Sequence, residues 1–172
     1  MAGRKLRARA GQASIEFALV WAAVIVPATF GIIFTAQMYW VWHAMVEFTR
    51  DGARYASTHC WQSGAQNVIT YMQTHVPRTV DINQFGAGGS AQINVAYYQR
   101  DPNSGQLTEF NACTSDCSAT CVPDSVTISV TNYQFARFVS YVRLPPVTMP
   151  AFPTSMPIES NGCDPEQGTC TP

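Results

Sequence analysis

The cysteines are the residues of this chain most able to do chemistry, because a thiol can bind a metal, attack a substrate or pair with another thiol. They are Cys60, Cys113, Cys117, Cys121, Cys163 and Cys170. The central three have the spacing C-x3-C-x3-C, which a zinc site could use. All six follow a long apolar block, and an even number downstream of an export signal is typical of disulfides formed in an oxidising compartment. The sequence therefore predicts disulfides and no metal site.

The pairing of these cysteines follows only partly from their order, since six cysteines allow 15 pairings. Cys163 and Cys170 are expected to close a small loop, because the glycine and proline between them can shape it. Cys60 is then expected to pair with one of the three central cysteines, and the other two with each other.

Motifs typical of catalysis are missing from the sequence, which has no P-loop, G-x-S-x-G, H-E-x-x-H or C-x-x-C. His43, His59 and His75 stand 16 residues apart, so adjacent ones would fall on nearly opposite faces of a helix. We therefore predict no catalytic residue, no cofactor and no histidine metal site. Only 12 % of the residues are charged, which argues against nucleic acid as a partner.

Glu16 is an acidic residue at the start of the apolar block, where a carboxylate is costly unless it is paired or close to water. Gly11 stands five residues before it. A cut after Gly11 would make Gln12 the N-terminus, with an α-amine that is positive at neutral pH. We hypothesise that Glu16 neutralises such an amine on an adjacent subunit and so sets subunit register. The simpler interpretation is a glutamate that faces lipid headgroups.

The apolar block predicts a transmembrane helix. Phe17–Trp42 is a run of 26 residues without a charge, and a spanning helix needs about 20. Four basic residues among the first ten should remain cytoplasmic, so the chain after the run faces outward. Pro27 is expected to kink the helix or loosen a turn. Tyr39, Trp40 and Trp42 suit the headgroup region.

The chain after the apolar block reads as helix followed by β-structure. An apolar face at three- and four-residue steps continues the helix to about residue 60, and Gly52 on that face predicts close packing, because glycine costs a helix about 1 kcal/mol relative to alanine. A second helix is expected at about residues 62–75. Strands are expected at 92–97, 106–110, 126–131 and 138–144, followed by a proline-rich tail partly at a sheet edge.

Together these elements predict an α+β fold. A long N-terminal transmembrane helix continues into an amphipathic helix, and a small antiparallel β-sheet domain with disulfide-rich loops follows. The expected boundaries are a basic leader at 1–11, the transmembrane helix at 12–42, an extracytoplasmic helical region at 43–76, and a β-rich domain with a Pro- and Cys-rich tail at 77–172.

Two motifs in this organisation resemble the TadE-like minor pseudopilins of the tight-adherence (Flp, type IVc) pilus system. The first is a basic leader and Gly11, followed by Glu16 and Phe17 at the opening of a long apolar helix. The second is a block on the continuing helix, which reads Arg50, Asp51, Gly52, Ala53, Arg54, Tyr55 and Ala56.

The resemblance implies a structural protein, not an enzyme, that a prepilin peptidase cuts between Gly11 and Gln12. It implies a single-pass protein of the bacterial inner membrane with a cytoplasmic N-terminus, or a place in an extracellular pilus. The implied partners are the major pilin, a sister pseudopilin, the inner-membrane assembly platform and the lipid bilayer, and the implied role is pilus biogenesis and surface adhesion. The alternatives are a pilin of another secretion system, and a membrane-anchored periplasmic binding or enzymatic domain with a plain signal anchor.

Overall fold

The computed structural model of the chain describes residues 3–111, 113, 116–136, 145–160, 162–164 and 166–170, with side chains from residue 11 onward. It divides into two compact units, Met1–Trp40 and Val41–Pro172. The first unit is helical. The second, here called the outer domain, contains helices and antiparallel sheet, so the predicted α+β class is confirmed.

The N-terminal helices are α1, Gly3–Val20, and α2, Val26–Thr58, joined by a π-helical turn at Trp21–Ile25. The Val26 amide donates to a carbonyl five residues back instead of four. Pro27 follows at once and has no N–H to donate, so the ordinary hydrogen-bond ladder is interrupted at this place. The loosened turn predicted at Pro27 is therefore confirmed.

The second predicted helix is shorter than expected. Helix α3 is Gln66–Thr74, and residues 62–65 form a turn in which the Ala65 amide donates to the Gln62 carbonyl at 2.9 Å. Ala65 has a left-handed φ of 48°, which no residue inside a right-handed helix adopts, so the helix cannot start before it. Val68 and Met72 on α3 are fully buried, as their spacing predicts.

The sheet has four antiparallel strands in the order β2-β1-β3-β6, with two further two-stranded pairs, β4-β5 and β7-β8. The strands are β1 Gln92–Arg100, β2 Leu107–Glu109, β3 Ser125–Thr131, β4 Gln134–Phe135, β5 Val147–Thr148, β6 Phe152–Pro157, β7 Cys163–Asp164 and β8 Thr169–Cys170. The three strands predicted before residue 132 are thus present. The strand predicted at 138–144 lies outside the described residues.

Strand β3 is central because alternate side chains point into the core. Val126, Ile128 and Val130 are each fully buried, as the alternation of apolar and polar residues predicts. Among the described strands, the proline-rich β6 lies at the edge of the sheet and pairs with β3. Proline can take this edge position since it has no amide to give to a further strand, and the predicted sheet-edge tail is confirmed.

The pairing of β3 with β6 continues beyond an irregular step into β4 and β5. Asn132 has a left-handed φ of 58° and ends β3. Beyond it, the Met149 amide donates to the Tyr133 carbonyl at 2.8 Å, and Gln134 lies opposite Thr148. The β4-β5 pair was not expected from the sequence, because two-residue strands carry no periodicity to detect.

Two hairpins are closed by one turn sequence, Asp-Pro-x-x-Gly, at residues 101–105 and 164–168. In each, the glycine amide donates to the aspartate carbonyl at 2.8 Å, and the glycine has a positive φ that a residue with a Cβ rarely adopts. The Asn103 backbone amide also donates to the Asp101 carboxylate and lowers the pKa of that carboxyl. Gly168, expected from the sequence to help shape the loop between Cys163 and Cys170, thus closes the second of these turns.

Helix α2 covers the sheet with the apolar face expected from its spacing. Val41, Met45, Phe48 and Ala56 are buried, whereas Tyr55 is only half-buried. A polar contact crosses the same interface, where the hydroxyls of Thr49 and Thr154 lie 2.8 Å apart. Thr49 is fully buried, and its hydroxyl also donates to the Val46 carbonyl at 2.9 Å, so it is free to accept the bond from Thr154.

Three disulfides join Cys60 to Cys117, Cys113 to Cys121, and Cys163 to Cys170. The first ties the residues after α2 to the loop that precedes β3. Two hydrogen bonds support the tie: the Cys117 amide donates to the Trp61 carbonyl at 2.9 Å, and the Ser63 amide donates to the Asp116 carboxylate at 2.8 Å.

Trp61, next to the first disulfide, packs against Phe110 with ring centroids 5.2 Å apart and against Tyr97 at 6.3 Å. Burial raises the pKa of the Tyr97 phenol. An aromatic cluster and a disulfide thus close the domain at the C-terminal end of α2.

Removal of the Cys60–Cys117 disulfide should destabilise the outer domain more than removal of Cys163–Cys170. The closed segments differ in length, with sequence separations of 57 and 7 residues, and the loop-entropy relation gives about 4 and about 2 kcal/mol respectively. Double Cys→Ser variants, unfolded with denaturant in detergent, measure the two losses. Equal losses would contradict this ranking.

Candidate functional site

The predicted processing and assembly residues lie on one exposed stretch of α1. Gly11, Gln12, Glu16 and Phe17 are all solvent-exposed, and an added Cβ at Gly11 would meet no atom within 4 Å. The Gln12 side-chain amide donates to the Glu16 carboxylate at 3.2 Å, one helical turn later. Because side chains four residues apart share a helix face, the carboxylate lies on the same side of the helix as residue 12.

The helix that follows leaves its apolar side chains uncovered. Phe17 is 69 % exposed and Ile32 is 71 % exposed. Among the described residues, one helical run, Gly11–Thr58, is long and apolar enough to cross a membrane, by length and composition. Two of its threonines bond to the backbone of the same helix: the Thr29 and Thr35 hydroxyls donate to the backbone carbonyls four residues before them, at 2.8 and 2.9 Å. These bonds remove two hydroxyl donors that lipid could not satisfy.

The block at 50–56 divides between two faces of α2. The exposed members are Arg50, Asp51 and Arg54, the buried members are Gly52, Ala53 and Ala56, and Tyr55 lies between them. Arg50 contacts the Glu47 carboxylate at 2.6 Å and Arg54 contacts the Asp51 carboxylate at 3.7 Å. All four of these side chains are about half exposed or more, so each pair adds little stability.

Gly52 permits the closest approach between α2 and α3. A Cβ built on Gly52 would lie 2.6 Å from the sulfur of Met72 and 3.1 Å from its two flanking carbons. Met72 is fully buried, so its side chain fills the space that any larger residue at 52 would need. The packing expected from a glycine inside a helix is therefore confirmed, and its partner is identified.

Tyr55 belongs to a stack of four rings that sequence reasoning missed. The rings follow the order His59, Tyr55, Tyr71, His75, with successive centroids 3.7, 4.0 and 4.2 Å apart. A signal for it was present, because α2 and α3 both end in Tyr-x-x-Thr-His, at 55–59 and 71–75. The opposite-face argument for these histidines was wrong, since His59 and His75 follow different helices.

The two halves of this stack have the same local geometry. The Nδ1 atoms of His59 and His75 each lie 2.9 Å from the carbonyl four residues back, in Tyr55 and Tyr71. The hydroxyls of Thr58 and Thr74 lie 3.1 and 3.0 Å from the same two Nδ1 atoms. The stack therefore joins the ends of α2 and α3 through ring faces.

The cysteines take part in disulfides and leave no described thiol free. Within the part of the chain that the structure describes, no three His, Cys, Asp or Glu side chains come together as a metal site would require. The region around the C-x3-C-x3-C segment is thus a crosslinked loop, and its sulfurs bond to each other and to Cys60.

Residues 11–54 of the chain match the family model described as TadE-like protein. Residues 11–54 are therefore similar to TadE-like proteins. The match begins at Gly11, includes Glu16 and the exposed apolar helix, and ends at Arg54 within the block. The TadE-like family is of a pilus structural kind, and the match indicates a pilus-associated protein. No curated protein and no solved structure matches the chain.

Substitution of Gly52 by alanine should destabilise the outer domain. The new methyl group overlaps Met72, and overpacking of a tight core costs about 1–3 kcal/mol, against about 1 kcal/mol gained in helix propensity. We expect a net loss of about 1 kcal/mol, measured by denaturant unfolding in detergent with near-ultraviolet circular dichroism.

The neighbouring substitution Asp51→Asn is the matched control for Gly52→Ala, because Asp51 is exposed and only weakly paired. Its effect should stay within about 0.5 kcal/mol. A Gly52→Ala protein that is as stable as the parent, or more so, would show that the α2–α3 contact has room for an added methyl group and would contradict this prediction.

Proposed function

We propose that this TadE-like chain is a minor pseudopilin of a tight-adherence pilus, a structural assembly component with no catalytic role. The observation that carries the proposal is the coincidence of two features in residues 11–54. The family match starts at the glycine predicted to precede the cut, and the same residues form a helix whose apolar side chains are uncovered. Such a helix requires lipid or other apolar helices around it.

Maturation in this proposal is a cut by prepilin peptidase after Gly11. The four basic residues before the cut hold the N-terminus in the cytoplasm until the leader is removed. The cut exposes the α-amine of Gln12, which is positive at neutral pH. The outer domain lies outside the cytoplasm, in an oxidising compartment that allows the disulfides to form.

Glu16 then selects the position of a neighbouring subunit. Its carboxylate is exposed and close to an apolar surface, and it accepts a hydrogen bond from the side-chain amide of Gln12. When helices of two subunits pack side by side, an amine of one subunit opposite Glu16 of the other neutralises both charges. A shifted register would leave both charges unpaired among apolar side chains, at a large energetic cost.

The partners in this proposal are the prepilin peptidase, the major pilin, a sister pseudopilin and the inner-membrane platform. The contact with peptidase follows from the cut site, and the contacts with pilins follow from the uncovered helix. Through these contacts the protein contributes to pilus biogenesis and to adhesion of cells to surfaces.

Processing is tested by intact mass and N-terminal sequencing of the membrane-extracted protein from cells that contain the peptidase. We expect a mature chain that starts at Gln12. Gly11→Val should retain the leader, because a branched side chain replaces the glycine at the cut, whereas the matched leader variant Gly3→Val should still be processed. A parent protein with an intact leader would leave a plain signal-anchored domain instead.

The role of Glu16 is tested separately with Glu16→Gln, which keeps the shape of the side chain and removes its charge. The variant should be cut at the normal position and remain in the membrane, but co-purification with the major pilin should fall at least about tenfold, because an unpaired amine in an apolar contact costs more than about 1.4 kcal/mol. Glu47→Gln, an exposed carboxylate of α2, is the control. Equal co-purification of both variants would refute the proposed pairing.

A further inference from the structure

The side chain of Trp42 connects the apolar run to the sheet of the outer domain. Its ring meets the ring of Phe152 edge-on, with centroids 4.9 Å apart and planes at 74°. Trp42 is 40 % exposed and Phe152 is buried. Trp42 is also the last residue of the 26-residue uncharged run. Because its ring contacts Phe152, the start of β6 lies at nearly the same depth in a bilayer as the ring of Trp42.

The strand direction shows which residues lie nearest this end of the domain. Thr49 contacts Thr154 and Trp42 contacts Phe152, so β6 and this part of α2 run in the same direction. The residues that precede Phe152 in the sequence therefore lie toward the Trp42 end of the domain. They form β5, Val147–Thr148, and the short segment that leads into β6.

The surface of this segment carries no charge. Val147, Thr148, Pro150 and Ala151 are all exposed and none is ionisable. From residue 125 to residue 158 the sequence contains no acidic residue, and its two arginines lie outside the described residues. An uncharged, partly apolar surface suits a place among lipid headgroups.

The opposite end of the same sheet has the opposite character. In the register of the sheet, Phe152 lies opposite Val130, which in turn lies opposite Ile93. Arg100 is seven residues after Ile93 on β1, a distance of about 23 Å at 3.3 Å per residue. That distant end carries three acidic residues. They are Asp101, Glu109 and Asp124, the last of which accepts a hydrogen bond from the Arg100 amide.

The backbone near Trp42 is also suited to a place with little free water. Three of the seven residues from 145 to 151 are prolines, which have no N–H group. Val147 and Thr148 pair with β4, and the Met149 amide donates to the Tyr133 carbonyl. Few backbone donors are left unsatisfied, and unsatisfied donors are what the bilayer penalises.

We propose that the outer domain rests on the lipid bilayer through this face, defined by Trp42, Val147, Thr148, Pro150 and Ala151 and here called the proximal face. The face adds a second membrane contact beside the apolar helix. The inference rests on the proposed function only in that the apolar helix must be anchored in the membrane. It fixes the tilt of the domain, which a lone helix would leave free.

Site-directed spin labelling of the full chain in nanodiscs tests the proximal face. All described cysteines are in disulfides, so the nitroxide is attached through p-acetylphenylalanine instead of cysteine. The nanodiscs contain phosphatidylcholine with phosphatidylglycerol, and power saturation compares collisions with oxygen, which enters lipid, and with a nickel chelate, which stays in water. Intact mass confirms that the three disulfides are kept.

The test position is Val147, and Leu107 is its matched control, an exposed aliphatic residue on a short strand at the opposite end of the sheet. A third label at Ile32 reports on the helix anchor. We expect loss of nickel access and high oxygen access at 147 and 32, and free nickel access at 107.

Nickel access at 147 equal to that at 107, with 32 still protected, would overturn the proximal face and leave the membrane anchor standing. Protection of 147 from both oxygen and nickel would also overturn it, because that pattern marks a protein–protein contact. Nickel access at all three positions would instead refute the anchor, and with it the proposed function.

Discussion

The packing of α2 against the sheet is the contact on which the rest of this protein depends. One helix supplies both the apolar run and the wall of the outer domain. From Val41 onward, one face of the helix is buried and includes Gly52, Ala53 and Ala56, whose small side chains let α3 and the sheet approach closely. If that face were bulky, α3 could not reach the helix, and the ring stack at its end could not form.

The outer domain has two ends with different physical character. At the end of α2, the Cys60–Cys117 disulfide, Trp61 and its aromatic neighbours crosslink a loop that has little regular structure of its own. At the Trp42 end, hydrogen-bonded strands and prolines hold residues 145–151, a segment with no ionisable side chain.

The division of the 50–56 block explains why a short motif can serve two purposes. Its small residues determine how closely elements of the same chain pack, and its charged residues remain on the surface. The charged pairs contribute little to stability, so their exposed face is available for contacts with other molecules. The family match extends to Arg54, so it includes both the small and the charged residues of the block up to that position.

The sequence alone determined the elements that depend on neighbours along the chain. The uncharged run, the loosened turn at Pro27, the alternation in β3 and the apolar face of α2 all follow from local spacing. Cysteine order narrowed the pairing but could not select which central cysteine meets Cys60.

Only the tertiary structure decided which distant residues meet. It selected Cys117 as the partner of Cys60, Met72 as the residue against Gly52, and the ring of Phe152 as the neighbour of Trp42. It also moved the start of α3 and brought two histidines from separate helices into one stack. The physical reason is that such contacts depend on how helix and sheet faces are brought together, and the periodicity of either element describes only its own face.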